Sequence, residues 1–395
     1  MNKGWQTKTL GEVLQKTETV NPLQSPQAEF DYIDVSSVSN STFQIEATQR
    51  LKGKDAPSRA RKLVRANDIV FATIRPTLQR IAVVPENLDK QVCSTGYFVL
   101  RPKPGIDHRF VFYSLFTEDF AAQMECLQKG ASYPAVTDGD VKAQVIPVPP
   151  LPEQRRIVGI LDESFDGIAT VKANAEKNLQ NARALFESHL QSVFTQRGPG
   201  WVETKLDDVT DLITCGVAKR PDYVPEGIPF LSAKNVKNGQ VIWSGHQYVS
   251  EESHRALTKH NKPKIGDILY TRVGSYGEAA IIDRDVEFSI FVSLTLIKPK
   301  PVVLNSFLKH YLNSSAVKEL AADSITGSGV GNLNVGTVRE FPIHLPPLPE
   351  QRSIVSQLDD MREETQRLAR LYERKLVALD DLKKSLLHQA FSGAL

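Results

Sequence analysis

The sequence predicts an α+β protein with two tandem globular domains, joined by two long helices that form an antiparallel coiled coil with pseudo-two-fold symmetry. The chain repeats itself at a nearly constant offset, each repeat begins with short β-type runs separated by turns, and each repeat ends in a long segment of helical periodicity. These observations divide the 395 residues into a first domain at 1–148, a first helix at 149–197, a second domain at 198–345 and a second helix at 346–395.

A ten-residue motif carries the repeat. PPLPEQRRIV at 149–158 returns as PPLPEQRSIV at 346–355, an offset of 197 residues, and Gly4-Trp5 returns as Gly200-Trp201 at an offset of 196. Between these anchors, YIDVSSV from Tyr32 matches FLSAKNV from Phe230, NDIVFATIR from Asn67 matches GDILYTRVG from Gly266, and Arg101-Pro102-Lys103 matches Lys298-Pro299-Lys300. Two diverged copies of one unit therefore span the chain.

The first part of each copy is predicted to be globular. Short strand-like runs alternate there with Gly, Pro and Asn turns, at Asp68–Ala72, Gly96–Leu100, Ile268–Tyr270 and Leu294–Ile297. A short helix is expected near Val111 in the first copy and near Phe307 in the second. This mixture of elements is typical of an α+β domain.

The second part of each copy is predicted to be one helix, from Glu153 to about Gln196 and from Glu350 to about Ala390. Pro152 and Pro349 stand where a proline costs no intrahelical hydrogen bond. Each helix would have about 40 residues and a length of roughly 60 Å. Steps of four and three residues, as in a heptad seam, join Leu161, Phe165, Ile168, Lys172, Ala175, Leu179, Ala182, Phe186, His189 and Val193 in the first helix, and Leu358, Met361, Thr365, Leu368, Tyr372, Leu379, Leu382 and Leu386 in the second.

The partner of each seam is expected to be the other helix. A seam of this length outruns a domain of about 145 residues, whose radius of gyration should be near 15 Å. Because a whole domain lies between the helices, an antiparallel pair with one domain at each end is the simplest arrangement. Lys172, Thr365 and Lys375 interrupt the seam, either as register devices or as partner contacts.

Composition limits the function classes. Hydrophobic residues make up 41% and charged residues 24%, as in a globular protein, and the chain has neither a long apolar run nor a signal-like start, which predicts a cytoplasmic location. Cys93, Cys126 and Cys215 lack CxxC spacing, so neither a disulfide framework nor a zinc site is indicated.

The motifs of DNA-modifying enzymes are absent from the sequence. It has no Asn/Asp-Pro-Pro-Tyr motif, no methyl-donor loop and no nuclease cluster, and the stretch Gly327–Gly331 is not followed by the Lys-Ser/Thr of a phosphate-binding loop. We therefore expect binding without catalysis, and no metal site.

Two matching basic regions indicate contact with a polyanion, although the net charge is only +2. The first lies at residues 50–65, which we call the basic segment, and contains Arg50, Lys52, Lys54, Arg59, Arg61, Lys62 and Arg65. The second contains His254, Arg255, Lys259, His260, Lys262 and Lys264. A charge run is often only a solvated face, but its recurrence in both copies favours phosphate binding.

Further side chains are candidates for contacts with DNA bases. Arg75 follows the NDIV strand, Arg272, Ser275 and Tyr276 follow the GDIL strand, and Ser132, Tyr133, Ser328, Asn332 and Asn334 lie in loops. Lys219, Arg220 and Lys234 complete the DNA-binding candidates. Turn geometry alone explains the Gly, Ser and Asn residues of these loops equally well.

In PPLPEQRRIV, the long helix after it, the second copy of both and the ending LLHQAFSGAL, the chain resembles the specificity subunits of type I restriction-modification systems. The resemblance covers the whole chain. It implies two target-recognition domains, each of which binds one half of a bipartite site in double-stranded DNA, with the helical pair as a ruler between them. It also implies two methyltransferase subunits and two restriction subunits as partners. Those partners, and not this chain, would bind S-adenosylmethionine, ATP and Mg²⁺.

Two alternatives stay open at this point. A protein-binding coiled-coil adaptor would not require a basic region at the same place in both domains. The recognition part of a fused restriction-methyltransferase would require a catalytic domain on the same chain. Because the two copies differ in sequence, a DNA-binding protein of this design should recognise two different half-sites.

Overall fold

The computed structural model describes residues 4–196, 198–274, 276–325 and 331–395. The chain divides into two compact units, one formed by Met1–Ala175 with Arg374–Leu395 and the other by Glu176–Glu373. We call them the first unit and the second unit. Each long helix contributes to both, whereas the boundaries predicted from the repeat assign each helix to a segment of its own.

In its described residues, the first unit contains three β-sheets, two of several strands and one of two. Its elements are β1 (Gln6–Thr9), α1 (Leu10–Val13), β2 (Glu29–Ile33), β3 (Gln49–Lys52), β4 (Ala60–Leu63), β5 (Ile69–Ala72), β6 (Ile81–Val83), β7 (Val92–Ser94), β8 (Tyr97–Leu100), α2 (His108–Ser114), α3 (Glu118–Leu127), α4 (Asp138–Lys142), β9 (Val145–Val148) and the beginning of α5 (Leu151–Thr195). The strands form a sheet in the order β3-β2-β7-β4, a sheet in the order β6-β5-β8 and a β1-β9 ladder. β5 and β8 lie where the two strand runs were predicted, which confirms both. All four residues of each strand are buried, so side chains pack on both faces of their sheet.

The second unit repeats this organisation with differences at the sheet edges. Its elements are β10 (Val202–Lys205), β11 (Thr210–Cys215), β12 (Ile228–Leu231), β13 (Val236–Lys237), β14 (Gln240–Val241), β15 (Gln247–Val249), α6 (Glu251–Leu257), β16 (Ile268–Thr271), β17 (Ala279–Ile281), β18 (Ser289–Ile290), β19 (Leu294–Pro299), α7 (Asn305–Leu312), α8 (Ser315–Asp323), α9 (Val335–Arg339), β20 (Pro342–Leu345) and the beginning of α10 (Leu348–Ser392). The sheets are β11-β19-β16-β17 and β15-β12-β18, with β10-β20 and β13-β14 ladders. The predicted strands at 268–270 and 294–297 and the helix near Phe307 are confirmed.

The two long helices are confirmed at 45 residues each. Pro152 and Pro349 are the second residues of α5 and α10, where the missing N–H costs nothing. Gly159 and Gly167 do not interrupt α5, and both face open space.

A glutamine of the repeated motif fixes the start of each helix to its own domain. The Gln154 side chain accepts a hydrogen bond from the backbone N–H of Asp107 at 2.8 Å and donates to the Pro149 carbonyl at 2.8 Å. Gln351 accepts from the N–H of Leu304 at 2.8 Å and donates to the Pro346 carbonyl at 2.9 Å. The motif therefore recurs because the same hydrogen-bonded junction between helix and domain forms in both copies.

Within each unit, the two helices run antiparallel. In the first unit Phe165 lies against Lys383, and further along α5 the Lys172 ammonium lies 2.8 Å from Asp380, which precedes Lys383 on α10. Lys172 thus makes a contact that sets the register of the two helices. Lys375 is exposed, and Thr365 donates to the carbonyl of Met361 in its own helix at 2.8 Å.

One residue predicted for the seam is wrong. Leu382 is 46% exposed, whereas Leu161, Ile168, Ala175, Ala182 and Phe186 are buried as predicted. Lys383 faces inward in place of Leu382, because its ammonium lies over two aromatic rings. A sequence pattern that scores only apolar side chains does not detect such a position.

Candidate nucleic-acid interface

The β5–β6 loop, residues 73–80, projects Arg75 from the first unit. Arg75 has φ +51°, a left-handed conformation that is uncommon outside glycine. Its backbone N–H donates to the Pro134 carbonyl at 2.6 Å, and its guanidinium donates to the Ser132 carbonyl at 3.4 Å. These two bonds hold the strained residue in place.

Arg75 and Tyr133 form an exposed stacked pair. The guanidinium carbon lies 5.0 Å from the centroid of the Tyr133 ring, and Tyr133 is 71% exposed. An arginine with donors left over can bond a base edge or a phosphate, and an exposed ring can pack on a base or sugar. The structure thus brings together the three predicted residues Arg75, Ser132 and Tyr133. Lys129, an exposed cation whose backbone pairs with Ala135 at the base of this hairpin, was missed because it stands alone in the sequence.

The basic segment separates into exposed and neutralised charges. Arg50 pairs with Asp31 at 2.9 Å, Lys62 with Asp138 at 3.0 Å, and Arg65 with Glu18 at 2.6 Å. Arg61 donates to the carbonyl of Ala60 at 2.9 Å. Within the described residues, no ion pair forms at the three remaining exposed cations, which are Lys52, Lys54 and Arg59. These three are the best-placed candidates for phosphate contact, whereas Arg61 and Lys62 are only partly exposed and lie in strand β4.

An ion-pair network supports the start of strand β5. Arg101 donates to Asp68 at 2.8 Å and to Glu18 at 2.5 Å, and its hydrogen bond holds the pKa of the Glu18 carboxyl below its usual range. In the second unit Lys298 pairs with Asp267 at 2.5 Å, so the matched RPK and KPK motifs have a structural role.

Arg272 differs from Arg75 and requires a correction. Its side chain is 6% exposed, donates to the Leu333 carbonyl at 2.8 Å and lies 3.4 Å from the Val292 carbonyl. A guanidinium whose donors are directed inward is not presented to a DNA groove. In the strand alignment Arg272 corresponds to Thr73. The backbone N–H of Thr73 donates to the Gly96 carbonyl and that of Arg272 to the Ser293 carbonyl, and both acceptors lie in the turn just before the neighbouring strand. We therefore assign Arg272 to the support of its loop and not to base contact.

The β16–β17 loop, residues 272–278, exposes a different set of side chains. Tyr276 is 39% exposed, and Asn332 lies nearby because it pairs with Val273 in an isolated bridge. Asn334 is exposed but caps α9 by accepting from the N–H of Gly336 at 2.8 Å. Lys318 contacts this loop at Gly277 and was missed by the sequence patterns. The candidates Ser275 and Ser328 lie outside the described residues.

The remaining basic candidates of the second unit also fall into two groups, those with an ion-pair or ring partner and those without one. Lys262 pairs with Glu287, and Arg220 lies over the Phe291 ring at 5.8 Å. Four exposed lysines form no ion pair within the described part of the chain: Lys219, Lys234, Lys259 and Lys264. The two units therefore present cations and polar side chains of different kinds around their loops.

Other site classes find no support in the described ranges. No three His, Cys, Asp or Glu side chains there form a group that suits a metal ion. Among the helices so described, none is long and apolar enough to cross a membrane.

The model of the family described as "Type I restriction modification DNA specificity domain" matches residues 2–180 and again residues 199–373. The EcoKI specificity subunit of Escherichia coli K12 is 22% identical over 323 residues, which cover 77% of this chain and 69% of that protein. The EcoBI specificity subunit of Escherichia coli is 23% identical over 277 residues, which cover 64% of this chain but only 58% of that protein.

Two solved structures share the fold over the whole chain. The HsdS subunit from Thermoanaerobacter tengcongensis is 30% identical with a TM-score of 0.73, and the match covers 100% of this chain and 98% of that one. A chain from work on complex assembly and conformational transition of the type I R-M system is 29% identical with a TM-score of 0.87, over 100% and 99% of the two chains.

Proposed function

Because the chain belongs to the family of type I restriction modification DNA specificity domains, and carries that domain twice, we propose that it is the sequence-specific DNA-recognition subunit of a type I restriction-modification complex. The observation that carries this proposal is the duplication of an exposed loop with cations around it, at Arg75 and Tyr133 in one unit and at Tyr276 and Asn332 in the other. Such a protein acts on DNA in the cytoplasm.

The target is a bipartite, asymmetric site. An arginine fork beside a tyrosine and a tyrosine beside an asparagine amide offer different hydrogen-bonding groups to base edges. Each unit therefore recognises a half-site of its own sequence, and the helices keep the two halves at a fixed spacing.

Two copies of a methyltransferase subunit are the partners that the repeat favours, together with two restriction subunits. Arg155 and Arg352 follow the buried glutamines of the repeated motif, and both are exposed, with no ion pair inside the described chain. The fold explains why Gln154 and Gln351 recur but not why these arginines do. A surface that is presented twice fits two copies of one partner. S-adenosylmethionine, ATP and Mg²⁺ belong to the partner subunits.

Methylome sequencing tests the proposal. A host without other methyltransferases of this type expresses the chain with the methyltransferase subunit encoded beside its gene, and modified adenines are mapped by single-molecule sequencing. We expect one bipartite motif that disappears when the gene for this chain is deleted. A complex that forms and binds no DNA would instead support the protein-binding adaptor and overturn the proposal.

A further inference from the structure

In each unit, a cation of α10 lies on an aromatic ring of α5. The Lys383 ammonium is 4.9 Å from the centroid of Phe165 in the first unit, and the Arg362 guanidinium is 4.8 Å from the centroid of Phe186 in the second. Both cations are partly buried, and burial lowers the pKa of each. Two partly desolvated cations on seams that are largely apolar need an explanation.

The repeat shows that the contact itself recurs, although its residues do not. At the offset of 197, Phe165 corresponds to Arg362 and Phe186 corresponds to Lys383. Ring and cation have thus exchanged places between the two copies, yet each unit keeps one cation–ring pair across the helices. Common descent of a sequence does not produce such an exchange, whereas a requirement for the contact does.

In the first unit, the pair lies beneath a segment of the recognition domain. Phe43, which has φ +55°, covers the other side of Lys383 at 5.1 Å. The same segment is tied to the β5–β6 loop, because the Arg80 guanidinium donates to the Val38 carbonyl at 2.6 Å. Lys383 is thus connected through Phe43 and Arg80 to the loop that presents Arg75.

The second unit makes the same connection with other residues. The Asn238-Gly239 turn of the β13–β14 hairpin lies on Arg362, where a Cβ on Gly239 would be 3.3 Å from the guanidinium. The N–H of Gly239 donates to the Glu278 carboxylate at 3.1 Å, and Glu278 ends the β16–β17 loop. Arg362 is therefore connected through the hairpin to the loop that presents Tyr276.

We propose that Lys383 and Arg362 are positioning residues that fix the seating of each DNA-reading loop on the helical pair, and thereby set how strictly the complex selects the spacer between the two half-sites. This inference rests on the proposed function. Neither side chain needs to touch DNA, because each acts through the segment above it. Loss of either cation would allow the angle between the loop and the helices to vary more widely. The side chains that contact bases would stay the same.

The test measures spacer selection by the complete complex with its methyltransferase subunits. Binding is measured on duplexes that carry the two native half-sites with the native spacer, or with a spacer one base pair shorter or longer. For K383M, which keeps most of the side chain's length and volume but removes the charge, we expect the preference for the native spacer to fall by up to about tenfold, as for a contact of cation–π strength. The cost of a mismatch within either half-site should stay at the wild-type value.

Three variants serve as controls. K375M removes an exposed lysine from the same helix and should leave spacer selection unchanged. K383R keeps the cation and should retain it. F165R combined with K383F gives the first unit the arrangement found in the second, and should recover the selection that K383M loses.

The outcomes separate the two hypotheses. Wild-type spacer selection in a folded K383M complex would overturn the inference and leave the proposed function intact. Failure of the double variant to recover selection, while K383M loses it, would also overturn the inference. A wild-type complex that selects no bipartite site at all would overturn the proposed function.

Discussion

At the scale of single residues, Arg75 shows how the backbone prepares a side chain for contact. Its left-handed conformation costs on the order of 1 kcal/mol or more, and the carbonyls of Ser132 and Pro134 compensate for that cost. The stacking on Tyr133 then limits the rotamers of the guanidinium. A side chain that is ordered before binding loses less entropy on binding.

Replacement of Arg75 by alanine should therefore affect one half-site. We expect R75A to weaken binding of the complex to its target by roughly ten- to a hundredfold, while binding to unrelated DNA changes by less than about threefold. Fluorescence anisotropy with duplexes mutated in one half at a time measures this effect. The comparison is R272M, which should lower the melting temperature without changing the recognised bases, because Arg272 supports a buried carbonyl pair. Equal losses on specific and unrelated DNA would show that Arg75 contacts only phosphate.

Lys52, Lys54 and Arg59 should act on all DNA alike. Each phosphate contact contributes about 0.9 to the slope of log affinity against log salt concentration, so the triple alanine variant should lower that slope by up to about 3. K62A provides the contrast, since Lys62 is bound to Asp138 and to the Tyr97 carbonyl and should affect stability more than the slope. An unchanged slope in the triple variant would remove this face from the interface.

His310 gives the second unit a dependence on pH. Burial, together with the neighbouring Lys309 and Arg362, lowers the pKa of His310 to about 4, and its Nε2 lies 2.9 Å from the Asp359 carboxylate. Because the folded pKa lies below the ordinary value of 6.5, the unfolded chain takes up the proton first, and stability is lost as the pH falls from about 6.5 to about 4. H310Y should reduce that loss, because Tyr113 makes the equivalent bond to Asp162 in the first unit. Melting temperatures of both proteins at pH 7 and pH 5 decide this; an equal drop would assign the pH dependence to another group.

At the scale of the elements, periodicity predicted the helices well and their contacts incompletely. The positions of Pro152 and Pro349, and the absence of other prolines, were enough to place both helices to within about two residues. The inward position of Lys383 depends on two rings that are distant in sequence, and the burial of Arg272 depends on carbonyls of other segments. Neither is contained in the spacing of residues along one element.

Two glycines leave α5 less stable than it need be. Gly159 and Gly167 have helical backbone, and a methyl group added at either would meet no heavy atom within 4 Å, so alanine is accommodated at both. We expect each substitution to stabilise the protein by roughly 0.5–1 kcal/mol, because alanine loses less backbone entropy on folding. Urea unfolding measures the gain. G53A is the matched opposite, since its methyl group would meet the Ser25 carbonyl at 2.2 Å and should destabilise; a loss of stability in G159A would show that this face of the helix is not open.

At the scale of the whole molecule, the repeat predicted more than any single motif. The match between PPLPEQRRIV and PPLPEQRSIV implied two related domains and two helices, and the junctions at Gln154 and Gln351 give the physical reason. Base-contacting residues were harder to predict, because Arg75 and Arg272 both follow a strand of their copy, yet Arg75 is exposed and Arg272 is buried. Residue type therefore indicates a surface, while the backbone around it decides which side chains can be used.

The ruler hypothesis makes a prediction for the length of the helices. One heptad inserted after Ala175 and one after Glu373, where the two units meet along the chain, would lengthen both helices by about 10 Å and keep every contact within each unit. We expect the recognised spacer to lengthen by up to about three base pairs, at about 3.4 Å each, while both half-sites keep their sequences. Methylome sequencing gives the spacer and the half-sites in one experiment. A heptad in only one helix is the control: the helices can then keep either the Lys172–Asp380 pair or the Arg183–Glu373 pair in register but not both, so methylation should be abolished. If the double insertion altered a half-site and left the spacer unchanged, the helices would have to contribute to base recognition, because nothing within either unit has been changed.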